Sequence, residues 1–180
     1  MRSITSGTTQ SAAHTAFVSD KAEIHGQVNF GIGCIAHPGC FIDARGGTIN
    51  FGEYNIIEEK VRIVNKIRAK DSKGKPIMKD MNVGSYNIFE VGTMVSTSEI
   101  GDYNEFQSKC VVEDNCRVGS NCTLGPKVSL SVGMQTGNNK IIYEDDRYHV
   151  NDDMAQVSVK KQKLKEMANL LIKQLNVKKP

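Results

Sequence analysis

Long apolar runs are missing from this sequence of 180 residues. No stretch of 18 apolar residues occurs, and the first ten residues are polar with one arginine. A membrane-spanning helix needs about 20 consecutive apolar residues, and a secretory signal needs an apolar segment behind a basic start. The sequence therefore predicts a chain that does not enter a membrane, is not secreted and is located in the cytoplasm.

Cysteines at metal-binding spacing are also absent. The chain has five cysteines, an odd number, and no two of them form a Cys-x-x-Cys pair. Zinc sites typically use such pairs, and a disulfide framework needs an even number. We therefore expect neither a zinc site nor a set of disulfides, and a reducing compartment fits this cysteine usage.

The two basic stretches of the chain contain no aromatic residue. Residues 60–80 and 160–180 each carry six net positive charges, whereas the rest of the chain sums to nine net negative charges. Proteins that bind single-stranded nucleic acids stack bases on aromatic side chains, so we predict no nucleic-acid binding. The charge pattern indicates either solvated segments or an acidic body whose basic appendages dock on an acidic partner.

What the sequence does contain is a repeat of six residues. Apolar residues recur at this spacing from Val18 to Leu130, with three extra residues before Phe51, a longer interruption before Val83 and one residue fewer before Ile100. All 17 positions are apolar. Neither the 3.6-residue period of a helix nor the alternation of an ordinary strand predicts this pattern. A hexapeptide repeat describes one side of a triangular parallel β-helix, with three short strands in each coil.

Grouping the hexads in threes tests the β-helix, because 18 residues must return the chain to the same side. Three columns of five apolar residues result, which predicts about five coils. The first column is Phe30, Phe51, Val83, Ile100 and Val118, the second Ala36, Ile57, Phe89, Phe106 and Leu124, and the third Ile42, Ile63, Val95, Val112 and Leu130. A glycine follows every member of the first column. Because the register rests on the apolar positions alone, this regular glycine supports it independently.

The same register places two polar columns and the five cysteines on the prism. The strings GEYNI, GSYNI and GDYNE start at residues 52, 84 and 101, so they stack three tyrosines and three asparagines. Asparagine suits a corner because it tolerates left-handed backbone angles and its amide forms hydrogen-bonded ladders. All five cysteines occupy the fourth position after a repeat residue, where we expect small buried side chains rather than reactive thiols.

The repeat divides the chain into three parts. We expect a flexible segment at residues 1–15, a β-helix at 16–150 with a loop insertion at 64–82 that holds a short strand near Ile77, and a helix with a basic tail at 151–180. Residues 154–176 carry an apolar stripe at helical spacing, and we expect it to pack on the prism and cover its last coil. The stripe consists of Leu164, Met167, Ala168, Leu171 and Leu175.

Three segments of the repeat carry a resemblance to a known family. They are FGEYNIIEEKVRIVN (51–65), KPIMKDMNVGSYNIFEVG (75–92) and IGDYNEFQSKCVVEDN (100–115), and the motif Asn-x-apolar-Glu occurs at 55–58 and 87–90. In these segments the chain resembles the dynactin subunit 6 family, which are left-handed β-helix subunits at the pointed end of the dynactin complex. The third copy of the motif has Gln107 where the others have glutamate.

The resemblance implies a single-stranded left-handed parallel β-helix with a C-terminal α-helix, an all-β fold whose handedness the hexad spacing alone does not establish. It implies a non-catalytic scaffold of the dynactin pointed-end complex, associated with the cytoskeleton, that supports dynein cargo binding and microtubule-based transport. The implied partners are other dynactin subunits, namely a β-helix like dynactin subunit 5 and the pointed-end actin-related protein, and indirectly the dynein cargo machinery.

The stacked columns are the candidate partner interface, because tyrosine is a favoured anchor at protein interfaces. Alternatively, Glu58 and Glu90 form an acidic column that faces solvent and contacts no partner. The candidate residues are Tyr54, Tyr86, Tyr103, Glu58, Glu90 and Gln107.

An enzyme is the alternative function, because the fold resembles γ-class carbonic anhydrases and hexapeptide acyltransferases. The first resemblance places the three metal-binding histidines of that class at Val64, Val91 and Ser96, which have no imidazole. An acyltransferase needs a histidine base, and the sequence identifies no carboxylate to orient one. We therefore predict no enzyme activity, no catalytic or metal-binding residues and no cofactor. The four histidines are scattered, at His14, His25, His37 and His149.

Overall fold

The protein is a left-handed parallel β-helix of about seven turns with one C-terminal helix, which confirms the predicted fold. The computed structural model describes residues 9–12, 16–67, 69–144, 147–150 and 155–177. No helix among the described residues is long and apolar enough to cross a membrane.

Twenty short strands and one helix make up the described chain. In chain order the strands are β1 (Thr9–Ala12), β2 (Phe17–Val18), β3 (Glu23–Phe30), β4 (Ile35–Ala36), β5 (Phe41–Phe51), β6 (Ile56–Ile57), β7 (Arg62–Val64), β8 (Ala69–Lys70), β9 (Pro76–Ile77), β10 (Met81–Val83), β11 (Ile88–Phe89), β12 (Met94–Val95), β13 (Glu99–Ile100), β14 (Glu105–Phe106), β15 (Val111–Val112), β16 (Arg117–Val118), β17 (Thr123–Leu124), β18 (Ser129–Leu130), β19 (Lys140–Glu144) and β20 (Arg147–Val150). The helix is α1 (Ala155–Val177).

The three predicted columns are the three sides of the prism. Each residue of a column is the parallel strand partner of the next, from Phe30 paired with Phe51 to Val112 paired with Leu130. The predicted number of about five coils is too low, because β1 and β2 begin an additional coil before the complete triplets and β19 continues the second side after them. These terminal coils lack a full set of three hexads.

The hexad residues form the core. Fifteen of the 17 are buried, and the other two, Val18 and Ile24, belong to the first coil and pack partly against the core. Phenylalanine rings stack between coils, with centroids 5.2 Å apart for Phe30 and Phe51 and 4.7 Å apart for Phe89 and Phe106. Burial of one such side chain stabilises the fold by roughly 1.5–3 kcal/mol, so the columns supply most of the apolar driving force.

The glycine column marks a line along which the backbones of successive coils approach each other closely. A Cβ added at Gly31 would clash with the carbonyl group of Gly52, and the same clash recurs from Gly52 to Gly84, from Gly84 to Gly101 and from Gly101 to Gly119. Any side chain at these positions would push two coils apart. Close approach of backbones, rather than an unusual dihedral angle, therefore explains the glycine after each first-side residue.

The segment between β7 and β10 leaves the prism as a basic hairpin. Strands β8 and β9 pair antiparallel, and residues 69–80 are all exposed. At the amino-terminal end, β1 lies within the stretch 1–15 that the sequence analysis sets apart, and it pairs with β3. Residues 1–8, 13–15, 68, 145–146, 151–154 and 178–180 lie outside the described residues.

Helix α1 packs on the prism through the predicted stripe, with Leu164 and Ala168 buried. The expectation that it covers the last coil is wrong. The helix shares an apolar cluster with Phe17, Ile35 and Ile56, which point outward from the second side of the first three coils. The last strand of that side, β19, pairs with the antiparallel strand β20 instead.

The five cysteines are buried and free, which confirms their predicted packing role. Burial raises the pKa of Cys34 and Cys40 to about 11 and that of Cys110 to about 12. Thiols in these positions stay protonated and weakly nucleophilic at neutral pH. Among the described residues, no group of three or more histidines, cysteines or carboxylates is placed to hold a metal ion.

The raised thiol pKa values predict a loss of stability at alkaline pH. In the unfolded chain these thiols have a pKa of about 8.5, so their pKa is higher in the folded state. Their contribution to the free energy of unfolding is therefore fully present below about pH 8 and is lost as the pH rises. The free energy of unfolding should fall as the pH rises from about 9 towards 11–12, when followed by urea denaturation. A variant with Cys34, Cys40 and Cys110 all changed to alanine should lack this part of the pH dependence, although it is less stable overall. Rapid alkylation of these thiols by iodoacetamide in the native protein at about pH 8 would contradict the account.

Candidate interaction surface

The tyrosine column lies at a corner of the prism where the backbone is left-handed. Tyr54, Tyr86 and Tyr103 have φ angles of 53°, 60° and 59°. Their rings stack, with centroids 5.3 Å apart and ring planes 16° apart for each neighbouring pair. The left-handed residue is thus the tyrosine and not the asparagine that follows it, contrary to the sequence-based expectation for this corner. The reason is that the asparagine side chain is needed inside the prism.

The asparagines form a buried ladder of hydrogen bonds. Asn55 Nδ2 donates to the carbonyl oxygens of Gly52 and Gly84, at 3.1 and 2.8 Å. Asn87 Nδ2 donates to Asn55 Oδ1 at 3.0 Å, and Asn87 Oδ1 accepts from the backbone N–H of Asn104 at 2.9 Å. The ladder continues as Asn104 Oδ1 accepts from the N–H of Cys122 at 2.7 Å. These side chains satisfy corner backbone groups that would otherwise be buried without partners.

The acidic column has a structural task at the next corner. Glu58 Oε2 accepts a hydrogen bond from the N–H of Val91 at 3.0 Å, one coil further along. Glu90 Oε2 accepts from the N–H and the hydroxyl of Ser108, at 2.9 and 2.8 Å. Gln107, which stacks in the same column, turns instead to Glu105, with 3.1 Å between Nε2 and Oε1. Each glutamate therefore holds two coils together while it remains partly exposed.

Helix α1 covers the tyrosine column. Tyr86 is only 7% exposed and shares its apolar cluster with Leu164 and Ala168. Lys161 Nζ lies 5.3 Å from the ring centroid of Tyr86, and Lys165 Nζ lies 5.7 Å from that of Tyr54, both within the range of cation–π attraction. The tyrosines thus contact the chain's own helix. The assignment of these rings, with Glu58, Glu90 and Gln107, to a partner interface stays a prediction.

The seat of the helix was missed by the sequence analysis, although a signal for it exists. In strands β4, β6 and β11 the residue before the hexad residue is also apolar, namely Ile35, Ile56 and Ile88. Alternation along a strand sends these side chains outward, and Ile35 and Ile56 are nevertheless 0% and 1% exposed. Isoleucines that precede the hexad residue on consecutive coils of one side therefore mark an outer surface that another element covers.

The described histidines do not come together in one site. His25 Nε2 lies 2.7 Å from Glu23 Oε1, and its ring contacts Phe41 at a centroid distance of 5.5 Å. His37 Nε2 is buried without a hydrogen-bond partner among the described residues. His149 stacks on Tyr143 at 5.0 Å, and His14 lies outside the described residues.

The stacked corner residues and the three-sided coil define a left-handed β-helix of the hexapeptide-repeat class. Among solved structures, the chain is similar to a hexapeptide transferase family protein from Anaplasma phagocytophilum, with a TM-score of 0.73 and 15% identity over 92% of each chain. It is also similar to a Bacillus cereus protein assigned as an acetyltransferase, with a TM-score of 0.68 and 13% identity over 92% of each chain. At these identities the likeness concerns the fold alone. No family model matches the chain.

Curated relatives identify the family. The chain is 32% identical to dynactin subunit 6 of Nematostella vectensis over 127 residues, which are 70% of this chain and 69% of that protein. It is 35% identical to dynactin subunit 6 of Xenopus tropicalis over 73% of this chain and 66% of that protein. The match to dynactin subunit 6 of Caenorhabditis elegans is 36% over 64% of this chain and 59% of that protein. The chain belongs to the dynactin subunit 6 family.

The asparagine ladder predicts a large effect for one buried amide. In Asn87→Ala, the N–H of Asn104 stays buried without its acceptor and Asn55 Oδ1 loses a donor, so the free energy of unfolding should fall by about 2–3 kcal/mol in urea denaturation. Asn82→Ala is the matched control, because Asn82 is exposed and, among the described residues, its Oδ1 accepts only from Asn50, at 3.1 Å. The control should stay within about 0.5 kcal/mol of the wild type. Equal losses in the two variants would contradict the role of the ladder.

The helix seat predicts a local loss of protection. Leu164→Ala removes a 6% exposed side chain from the tyrosine cluster and should weaken docking of α1 by about 2–4 kcal/mol. Hydrogen–deuterium exchange should then accelerate in α1 while the strands of the last coils keep their protection. Leu170→Ala, at a position 59% exposed on the same helix, should leave the exchange unchanged. Uniform acceleration along the whole chain would show that the helix and the last coils do not open independently.

Proposed function

We propose that this protein is a non-catalytic subunit of the dynactin complex. It serves as a rigid scaffold at the pointed end, contacts a β-helix like dynactin subunit 5 and the pointed-end actin-related protein, and supports dynein cargo binding and microtubule-based transport in the cytoplasm. The observation that carries the proposal is the match to dynactin subunit 6 of Nematostella vectensis, which spans 70% of the chain at 32% identity.

The site geometry supports a scaffold. The columns that carry the resemblance serve the prism itself: the asparagines pair with backbone groups, the glutamates join successive coils, and the tyrosines seat the helix. A prism held by buried side-chain ladders presents its outer surfaces in a fixed arrangement. Such preorganisation lowers the entropic cost of assembly.

The residues also favour a non-catalytic role. The three histidines of the γ-class carbonic anhydrases correspond here to Val64, Val91 and Ser96, and none of these side chains is an imidazole. The five cysteines are buried, and burial raises the pKa of Cys34, Cys40, Cys110 and Cys116. The likeness to transferases lies in the coil and not in these residues.

Two routes to partners follow from the six candidate interface residues. Glu58, Glu90 and Gln107 are partly exposed and are proposed to contact a partner directly. Tyr54, Tyr86 and Tyr103 lie against α1 and are proposed to act through it, because they determine where the outer surface of the helix lies. The exposed surface of α1 carries Lys163 and Lys173, among other lysines.

Purification of the tagged full chain from its own cells tests the proposed function. The actin-related filament subunits and a second β-helix protein should be recovered together with the chain in about equal yield for the wild type and for Val132→Ala, a change at a 65% exposed position at the far end of the prism. Leu164→Ala should reduce their recovery, because it displaces the helix from the tyrosines. Recovery of none of these subunits by the wild type would overturn the proposal. A purified chain that hydrates carbon dioxide or transfers acyl groups would favour the enzyme instead.

A further inference from the structure

The insertion between the third and fourth coils is an open, basic ribbon, which we call the basic hairpin (residues 66–79). Its two strands pair only with each other. Three large apolar side chains on it are about half exposed: Ile67 at 46%, Ile77 at 50% and Met78 at 56%. A two-stranded ribbon with both faces in water is marginally stable by itself, so this element is expected to gain order from a partner.

The base of the hairpin is nevertheless firmly fixed to the prism. Asn65 is buried, and its Nδ2 donates to the carbonyl oxygens of Gly47 and Lys79, at 3.0 and 2.7 Å. Any Cβ at Gly46 or Gly47 would clash with the backbone of Asn65 or Lys79, respectively. Both ends of the ribbon are therefore held within hydrogen-bond distance of β5. The chain presents the hairpin at one defined place instead of leaving it as a slack loop.

Two further contacts join the base to neighbouring corners. Asp80 Oδ1 accepts from the N–H of Thr48 at 2.9 Å, on one side of the ribbon. Lys66 Nζ lies 3.3 Å from Asp114 Oδ2, a residue two coils further along. These contacts orient the ribbon relative to the third side of the prism.

The charge of the basic hairpin is not neutralised by its own carboxylate. Residues 66–79 contain six basic residues and one acidic residue, Asp71. Asp71 Oδ1 is engaged in the turn, where it accepts from the N–H groups of Lys73 and Lys75 at 2.8 and 2.9 Å. Within the described part of the chain, Lys70, Lys73 and Lys75 form no ion pair. The ribbon thus carries strong positive charge next to exposed apolar side chains.

We propose that the basic hairpin docks an acidic, extended protein segment of another subunit of the same complex. The partner's carboxylates face the lysines, its apolar side chains cover Ile67, Ile77 and Met78, and its backbone pairs with an open edge of the ribbon. This inference rests on the proposed function, because it takes the partner from the dynactin complex.

A protein segment fits the hairpin better than a lipid surface or a nucleic acid. The unpaired N–H and C=O groups along both edges would be costly in lipid, whereas an added strand satisfies them. The ribbon has no aromatic side chain on which bases could stack. A third strand would also supply the support that a two-stranded ribbon lacks.

Site-specific photo-crosslinking of the full chain in its complex tests the inference. A photoreactive phenylalanine analogue in place of Ile77 should crosslink to a segment of another dynactin subunit rich in aspartate and glutamate. The same analogue in place of Val132, which is 65% exposed at the far end of the prism, should not crosslink to that segment. In the background of Lys70→Glu, Lys73→Glu and Lys75→Glu, the crosslink at position 77 should fall by about tenfold or more. In the wild type it should weaken as the salt concentration rises.

A second triple variant controls for net charge. Lys21→Glu, Lys127→Glu and Arg147→Glu change the charge equally at exposed positions away from the hairpin, and should leave the crosslink unchanged. Crosslinks to a basic or neutral segment, an equal loss in both triple variants, or no crosslink at position 77 while the other subunits co-purify would overturn this inference alone. Failure of every version to co-purify with dynactin subunits would overturn the proposed function as well. Co-sedimentation of the wild type, but not of the hairpin variant, with phosphatidylserine vesicles would assign the hairpin to a membrane and overturn the inference.

Discussion

The corners of the coil impose the constraint on which the rest of the structure depends. A coil of about 18 residues turns three times, and at each turn the backbone leaves the strand ladder inside a dry prism, where unpaired N–H and C=O groups are costly. This chain meets the cost with side chains that act on a neighbouring coil. Asn87 reaches back to Asn55, Glu58 reaches forward to Val91, and Gly31 lets the next backbone come close. Because every corner depends on its neighbour, one register governs the whole stack.

The same constraint explains why much of the fold could be predicted from the sequence. The hexad positions point into an apolar core, so the period of six appears directly in residues such as Phe89 and Phe106, and the sides follow from it. The terminal coils were undercounted because neither completes a triplet within the repeat that was recognised: Val18 and Ile24 fit the period of six, but they form only two of the three sides of their coil. Handedness was taken from the family resemblance, since a spacing along the chain is the same for either hand.

The candidate site was less predictable, because it depends on which surfaces meet in space. Tyrosine and asparagine were correctly placed in neighbouring columns and the asparagine ladder was predicted, but the left-handed backbone angle was assigned to the asparagine instead of the tyrosine. Only the structure shows that Asn87 points inward and that Tyr86 takes the left-handed backbone. Outward-facing residues need not repeat from one coil to the next. The periodicity that revealed the core therefore carries no information about what covers the tyrosines or docks on the hairpin.

The position of α1 determines which coils unfold together. In a solenoid each coil touches only its neighbours, so terminal coils can unfold one at a time. Here one helix shares its apolar cluster with Phe17, Ile35, Ile56, Ile88 and Tyr103, which belong to the first five coils. Those coils and the helix consequently open as one cooperative unit, since the loss of any one of them removes part of the seat that holds the others. The coils beyond β14 lack this common brace, and fraying of the chain starts at that end.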